Sequence, residues 1–259
     1  MAETPPASGT WAAIEFWFEF GSIYSYLSVM RIEGEARRHG VRIIWRPFLL
    51  GPIFRALGMQ HPPFVLQKEK GAYVWRDMVR QCRKFGLQWT QPSTFPRLGV
   101  LPLRIALLGA DQPWVGEFCR QIMQLNFVRD QDINQPESMT QILINLGLPA
   151  VDIMRQAQSE PVKSRLREQT DLAQARGIFG APTFFVGSEM FWAMIPIANR
   201  LMPMPPAPRN MSGLRPHLST VAIATMVDRV LAPPMRICCS IPASTPVEAL
   251  MFLKIVVPK

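Results

Sequence analysis

Residues 16–27 read Phe-Trp-Phe-Glu-Phe-Gly-Ser-Ile-Tyr-Ser-Tyr-Leu and carry two periodicities in succession. From Ile14 to Phe20 a large apolar side chain occupies every second position, which is the period of a β-strand. Gly21 and Ser22 then open a segment whose next apolar residues have the spacing of a single helix, namely Leu27, Met30 and Ile32. The pattern predicts a strand that leads directly into a helix N-terminus at Ser22.

A second informative stretch, residues 177–187, reads Gly-Ile-Phe-Gly-Ala-Pro-Thr-Phe-Phe-Val-Gly. Ala181-Pro182 stands immediately before an apolar run, and we expect the bond between these two residues to be cis. A cis X-Pro bond is a deliberate structural feature where it occurs, and here it would expose backbone groups of Ala181 to an extended ligand. Residues 183–186 and 190–192 predict a hairpin that turns at Gly187-Ser188.

Between these two stretches the period of the apolar residues changes from strand to helix. Val41, Ile43 and Trp45 alternate with Arg42 and Arg46 and predict a second strand, which must pair in parallel with the first because a helix connects them. From about Gly51 to Gln174 the periodicity is helical, with helices predicted at 73–85, at 114–129, from a capping box of Ser138 and Gln141 to Gly147, and at 161–176. The order of elements predicts an α/β, thioredoxin-like fold with an inserted all-helical domain at about 51–174.

The junction of the first strand and helix resembles a thioredoxin-type site without its thiols. Redox proteins of this fold place Cys-x-x-Cys there, because a helix N-terminus lowers the pKa of a thiol. In this chain Ser22 and Ser25 occupy the two positions. Neither serine can form a disulfide, so thiol–disulfide exchange of the DsbA type is disfavoured, and Ser25 is expected to be structural.

Four segments occur in a fixed order along the chain: 18–27 Phe-Glu-Phe-Gly-Ser-Ile-Tyr-Ser-Tyr-Leu, 45–51 Trp-Arg-Pro-Phe-Leu-Leu-Gly, 70–77 Lys-Gly-Ala-Tyr-Val-Trp-Arg-Asp, and the stretch 177–187. Together they resemble 2-hydroxychromene-2-carboxylate isomerases, a glutathione-dependent family close to the kappa-class glutathione transferases. The similarity covers about residues 13–192. It implies a DsbA-like thioredoxin domain over these residues, preceded by a flexible N-terminus at 1–12.

The resemblance implies a glutathione site and indicates which residues of this chain would form it. Ser22 would face the sulfur of glutathione, where a hydroxyl can donate to a thiolate and lower the pKa of the thiol; an ordinary helix N-cap is the alternative role. Lys70 would meet a carboxylate of glutathione or substrate, and a solvated lysine is the alternative. Ala181, Pro182 and Thr183 would form a backbone clamp for the cysteinyl unit of glutathione. The alternative is that these residues only begin a β-strand.

The reaction that the resemblance implies is a glutathione-dependent isomerisation. The thiolate adds to a conjugated carbon of a cyclic hemiketal carboxylate, the ring opens, a bond rotates and the thiol leaves, so that glutathione is the nucleophile and is regenerated. The substrate would be a small aromatic carboxylate of the 2-hydroxychromene-2-carboxylate type, from aromatic catabolism. A kappa-like glutathione transferase and a non-catalytic remnant of the family stay open, as does a homodimer. Trp17, Trp45 and Trp75 are expected in the core rather than stacked on substrate.

The distribution of charge argues against a nucleic-acid partner. The formal net charge is +9, yet residues 1–192 hold 21 Lys and Arg against 17 Asp and Glu, while residues 193–259 hold 7 against 2. The basic excess therefore lies mainly in the tail. The pairs Arg37-Arg38 and Arg83-Lys84 precede glycines at predicted helix ends, where cations interact favourably with the helix dipole.

The cysteines, the histidines and the hydropathy of the sequence argue against a disulfide-bonded, metal-binding or membrane protein. Cys82 and Cys119 lie on apolar faces of predicted helices, and the chain contains no Cys-x-x-Cys spacing. His39 and His61 lack partners at ligand spacing, so we expect no metal. The sequence shows neither a basic and apolar leader nor a run of about 18 apolar residues, and we expect a cytoplasmic protein without a membrane partner.

The sequence departs from the family pattern at Ile23, where relatives have proline, and again after Trp192. Relatives continue with a Gly-Asn-Asp loop that holds the glutamyl end of glutathione, whereas this chain continues Ala-Met-Ile-Pro. Residues 193–259 hold 11 of the 25 prolines and 7 of the 15 methionines, without sustained periodicity. One G inserted after the Trp192 codon can restore Gly-Asn-Asp. We hypothesise that a single-base deletion put this tail out of frame; a genuine lineage-specific extension is the alternative.

Overall fold

The computed structural model describes residues 13–193. The expectations for residues 1–12 and 194–259, including the reading-frame hypothesis, lie outside the described residues.

A four-stranded mixed sheet organises the described part of the chain. Its strands are β1 (Ala13–Phe18), β2 (Arg42–Pro47), β3 (Thr183–Val186) and β4 (Glu189–Trp192). They lie in the order β2-β1-β3-β4, with β1 parallel to β2 and antiparallel to β3, and with β3 antiparallel to β4. The predicted parallel pair and the predicted hairpin are both present.

The helix that the sequence predicts after Ser22 is two helices. Helix α1 (Ile23–Val29) ends at Met30, and α2 (Ile32–His39) begins after Arg31, whose φ of −122° lies outside the helical region. The guanidinium of Arg31 lies over the ring of Phe85 at 3.5 Å from its centroid, so this break carries a tertiary contact that local periodicity does not reveal.

Eight helices lie between β2 and β3. They are α3 (Leu50–Ala56), α4 (Pro63–Leu66), α5 (Lys68–Phe85), α6 (Val100–Leu108), α7 (Val115–Phe127), α8 (Pro136–Asn145), α9 (Ala150–Ala157) and α10 (Glu160–Ala175). Helix α10 contacts β2 and α3, while α1 contacts α5 and α7. The boundaries of an inserted domain at about 51–174 stay a prediction.

The capping box predicted at Ser138 and Gln141 is wrong. The N-cap of helix α8 is Gln135, three residues before Ser138, and Pro136 lies in the first turn, so both predicted capping residues lie inside the helix. Proline favours the first helical position because its φ is already set and it needs no N–H partner there. The predicted end of the helix at Gly147 is present, since Gly147 follows the C-cap of α8 with a φ of +70°.

Side chains of β1 point alternately into two hydrophobic clusters, one on each face of the sheet. Phe16 is fully buried in the larger cluster and stacks on Phe18 and on Phe184. Trp17, also fully buried, belongs to the smaller cluster under α10, where its ring meets Phe48. Trp45 is buried as well and Trp75 packs against the larger cluster, so the tryptophans expected in the core are found there.

The central place of Phe16 predicts a large loss of stability when its ring is removed. Phe16→Ala is expected to lower the free energy of unfolding by about 3–5 kcal/mol, through lost burial and the cavity left behind. Leu172→Ala on the exposed side of α10 should stay within about 0.5 kcal/mol of wild type. Urea unfolding at one pH measures both, and equal losses in the two variants would contradict the central role of β1.

Candidate functional site

Ser22 and Ala181 form the centre of the candidate site. Ser22 is the N-cap of α1, and its Oγ accepts a hydrogen bond from the backbone N–H of Ser25 at 3.2 Å. The same hydroxyl donates to the backbone carbonyl oxygen of Ala181 at 2.8 Å, across 159 residues of sequence. Ser22 is 9 % exposed, and the hydrogen bond between its hydroxyl and Ala181 is buried. The structure therefore brings together two of the residues that the sequence singles out.

The backbone around Pro182 has the geometry that the sequence predicts. The Ala181-Pro182 peptide bond is cis. Thr183 is buried, pairs with Trp17 in the sheet register, and donates from its Oγ1 to the carbonyl oxygen of Gly180 at 2.8 Å. The carbonyl oxygen of Pro182 accepts from the N–H of Ala193 at 3.0 Å. Ala181, Pro182 and Thr183 thus form one fixed segment beside Ser22.

Ser25 supports the turn from inside the protein. It is fully buried, and in addition to the bond from its N–H to Ser22, its Oγ accepts from the N–H of Glu19 at 3.5 Å. The carbonyl oxygen of Glu19 in turn accepts from the N–H of Ser22 at 3.2 Å. These bonds fit the structural role expected for Ser25.

Glu19 is a titratable group of the same turn to which the sequence reasoning gave no role. Its Oε2 accepts from the N–H of Gly21 at 3.0 Å. Burial raises the pKa of the Glu19 carboxyl from 4.5 to about 7, although the hydrogen bond from Gly21 opposes that rise. A carboxyl group three residues before Ser22 can therefore change its charge near neutral pH.

Arg97 and Asn126 reach the turn from the helical part of the chain. Asn126 is 1 % exposed and donates from Nδ2 to the carbonyl oxygen of Phe20 at 2.9 Å. Arg97 is 9 % exposed and donates to Asn126 Oδ1 at 3.0 Å and to Asp130 Oδ1 at 2.5 Å. Hydrogen bonds from Arg97 and Ser93 lower the pKa of the Asp130 carboxyl. Sequence reasoning missed these residues; the available signal was a polar residue next to Leu125 on the apolar side of α7.

Lys70 lies on helix α5, outside the turn of Ser22 and the segment 181–183. Lys70 is exposed in the first turn of α5 and makes no hydrogen bond or ion pair with residues 13–193. No hydrogen bond or ion pair joins it to Ser22 or Ala181. Among the described residues, no group of three or more His, Cys, Asp or Glu side chains is placed to hold a metal ion. Cys82 and Cys119 are both buried.

Comparison with known proteins identifies the family. The model of the DsbA-like thioredoxin domain matches residues 13–200. The chain belongs to the DsbA-like thioredoxin domain family. This match confirms the predicted thioredoxin-like fold, and none of the helices in the described range 13–193 is long and apolar enough to cross a membrane.

Individual relatives support the resemblance seen in the sequence. The 2-hydroxychromene-2-carboxylate isomerase of Sphingobium xenophagum is 26% identical over 181 residues, which are 69% of this chain and 91% of that protein. Glutathione S-transferase kappa 2 of Caenorhabditis elegans is 26% identical over 184 residues, 65% of this chain and 78% of that protein. A solved 2-hydroxychromene-2-carboxylate isomerase superposes with a TM-score of 0.64 at 22% identity, covering 70% of this chain and 88% of its own, and shows the shared fold.

The raised pKa of Glu19 predicts a pH-dependent stability. The folded protein holds this proton more tightly than the unfolded chain, so the contribution of Glu19 is complete below about pH 4.5 and is lost as the pH rises to about 7. Relative to Glu19→Gln, which cannot ionise, wild type should lose about 1–3 kcal/mol over this interval.

Urea unfolding across that pH range measures the effect. Glu69→Gln, an exposed site on α5, is the matched control and should follow wild type at every pH. Parallel curves for wild type and Glu19→Gln would show that Glu19 does not titrate in this interval.

Proposed function

We propose that this chain binds glutathione between Ser22 and the segment 181–183 and acts as a glutathione-dependent isomerase on aromatic carboxylates of the 2-hydroxychromene-2-carboxylate type. One observation carries the proposal: the Ser22 hydroxyl at the start of α1 meets the backbone carbonyl of Ala181, just before Pro182. The relatives support it, because those named above are a 2-hydroxychromene-2-carboxylate isomerase and a kappa-class glutathione transferase.

The groups present at the site fit a thiol peptide. Ser22 supplies a hydroxyl at a helix N-terminus, and Ala181 supplies a backbone carbonyl whose present partner is that hydroxyl. A peptide ligand needs backbone acceptors for its N–H groups, and its sulfur needs a donor that favours the thiolate. When bound, glutathione would supply the nucleophilic thiolate of the reaction.

Ser22 has one hydrogen to donate, and its neighbours determine where that hydrogen can go. The N–H of Ser25 holds the Oγ atom in place, while the hydroxyl hydrogen points to Ala181. Rotation about the C–O bond would redirect the hydrogen toward a thiolate without moving the oxygen. The carbonyl oxygen of Ala181 would then be free to accept an N–H of the ligand. A hydrogen bond to the charged form lowers the pKa of the thiol.

The same geometry disfavours disulfide exchange. Serine occupies both positions of the Cys-x-x-Cys motif, and the cysteines of the described part of the chain, Cys82 and Cys119, are buried. Burial raises the pKa of both thiols, which keeps them protonated and unreactive. Reduction of insulin at the rate of a dithiol oxidoreductase would overturn this assignment.

Lys70 is proposed as a cation for a carboxylate of glutathione or substrate. The side chain is exposed and has no ion-pair partner among residues 13–193, so its ammonium group is available to an anion. Conjugation of electrophilic aromatic compounds, the reaction of a kappa-like transferase, is the second candidate function, supported by the kappa-class relative. Both functions use the same thiolate, and a homodimer is compatible with either.

The tail is proposed to weaken the activity. If residues from 193 onward are out of frame, the chain lacks the loop that in relatives holds the glutamyl end of glutathione. Losing one or two charge-assisted hydrogen bonds would weaken glutathione binding by about tenfold to a thousandfold or more.

A protein with the frame restored after Trp192 tests this expectation by calorimetric titration with glutathione. Its affinity should exceed that of the present chain by such a factor. Equal affinities would show that the present tail is functional and that no deletion needs to be invoked, and sequencing the DNA across the Trp192 codon checks the cause independently.

Ser22→Ala tests the proposed function itself. Removing the one donor proposed for the sulfur should lower the glutathione-dependent rate of ring opening of a hydroxychromene carboxylate by about 10²–10³, the usual effect of losing a preorganised donor. Ser28→Ala, a buried serine further along α1, is the matched control and should retain the wild-type rate. Rates that are equal in wild type and Ser22→Ala, with and without glutathione, would exclude the mechanism.

A further inference from the structure

The turn that carries Ser22 is held from the helical part of the chain. Asn126, on α7, donates from Nδ2 to the carbonyl oxygen of Phe20 at 2.9 Å, across 106 residues of sequence. Phe20 lies two residues before Ser22 and belongs to the turn between β1 and α1. A side chain far away in the sequence therefore fixes the backbone of this turn.

Arg97 fixes the orientation of the Asn126 amide. Its Nη1 donates to Asn126 Oδ1 at 3.0 Å and to the carbonyl oxygen of Asn126 at 3.2 Å. An arginine has only donors, so the amide atom that faces it must be oxygen, and the amide nitrogen must face Phe20. On its other side the guanidinium is held by Asp130 Oδ1 at 2.5 Å and by Ser93 Oγ at 3.3 Å.

The main chain of Arg97 touches the turn as well. A Cβ atom built on Gly21 would lie 2.8 Å from the carbonyl oxygen of Arg97 and 3.0 Å from Glu19 Oε2, so only glycine fits between them. The turn is thus restrained at two adjacent residues, by a hydrogen bond at Phe20 and by close packing at Gly21.

Asn126 stands where an apolar side chain would satisfy packing. Its neighbours on α7, Ile122, Leu125 and Phe127, are all buried. A buried amide stabilises a fold only when its hydrogen bonds are made, and both ends of this amide are bonded. The polar side chain at this position serves the turn rather than the hydrophobic core.

We infer that Asn126 and Arg97 are positioning residues that hold the Ser22 hydroxyl opposite the carbonyl of Ala181. The inference deepens the proposed function, on which its effect on glutathione rests. Without the Asn126 bond, the turn can move away from the segment 181–183 while Ser22 itself is retained. The pKa of a thiol bound there would then return toward that of free glutathione.

Asn126→Asp isolates the bond to Phe20. Aspartate keeps an oxygen for Arg97 but places an acceptor where the donor to the Phe20 carbonyl stood. Ile122→Val, one turn earlier on α7, is the matched control, since it removes a buried methyl group and keeps the Asn126 amide. Arg97→Lys is a second variant, because a lysine keeps the charge for Asp130 but cannot hold the amide and the carboxylate with one planar group.

Two measurements are made on these proteins. Amide hydrogen exchange should be at least about tenfold faster at Gly21 and Ser22 in Asn126→Asp than in wild type, with unchanged exchange at Phe16, while Ile122→Val should show no such local change. Absorbance of the thiolate during a pH titration of bound glutathione should give a higher thiol pKa in Asn126→Asp than in wild type or in the control.

The outcomes separate this inference from the proposed function. Fast exchange at the turn, together with no depression of the glutathione pKa in wild type, would support the positioning role and refute the proposed function. If exchange at Gly21 and Ser22 in Asn126→Asp matches that in the control, the positioning role is overturned, regardless of the thiol pKa of bound glutathione. Should Asn126→Asp fail to fold, Arg97→Lys carries the same two expectations, and wild-type exchange at the turn in that variant overturns the inference.

Discussion

The pairing of β1 on both of its edges is the constraint on which the candidate site depends. Strand β1 runs parallel to β2 and antiparallel to β3, so that the end of β1 lies beside the beginning of β3, with Trp17 opposite Thr183. The residues just after β1 therefore meet the residues just before β3. Ser22 and Ala181 come within hydrogen-bonding distance for this reason, and burial of Phe16 and Trp17 on opposite faces holds the strand in place.

The chain keeps a thioredoxin-type geometry while it replaces thiols by hydroxyls. A hydroxyl at the position of Ser22 cannot exchange disulfides, but it can donate a hydrogen bond to the thiolate of a ligand. Here the hydroxyl oxygen is fixed by the N–H of Ser25, and its hydrogen lies on the carbonyl of Ala181. In the proposed function, this arrangement shifts the reactive sulfur from the protein to a bound glutathione, which is the chemical basis of the proposed glutathione dependence.

Local patterns in the sequence predicted the parts of the fold that local interactions determine. The alternation before Phe20, the hairpin turn at Gly187-Ser188 and the cis bond before Pro182 are all present, because period and turn chemistry are properties of neighbouring residues. The break between α1 and α2 was not predicted, since Arg31 is held by Phe85 from another helix.

In the candidate site, too, local patterns predicted only the residues whose signal lies in the neighbouring sequence. Ser22 and Ala181 carry motif signals, whereas Glu19, Arg97 and Asn126 gain their importance from burial and from contacts between distant segments. An arginine is mostly exposed in proteins, so sequence alone gives no reason to bury Arg97 at the back of a turn. The role of Lys70 depends on an anion and stays a prediction.

A crystal structure of the protein with glutathione tests the central claim most directly. The account predicts the sulfur of glutathione within hydrogen-bonding distance of Ser22 Oγ, with the bond from Ser22 to Ala181 released and the carbonyl of Ala181 accepting an N–H of the peptide. Glutathione bound elsewhere, or bound here with the Ser22 to Ala181 bond intact and the sulfur out of reach of Ser22, would contradict it.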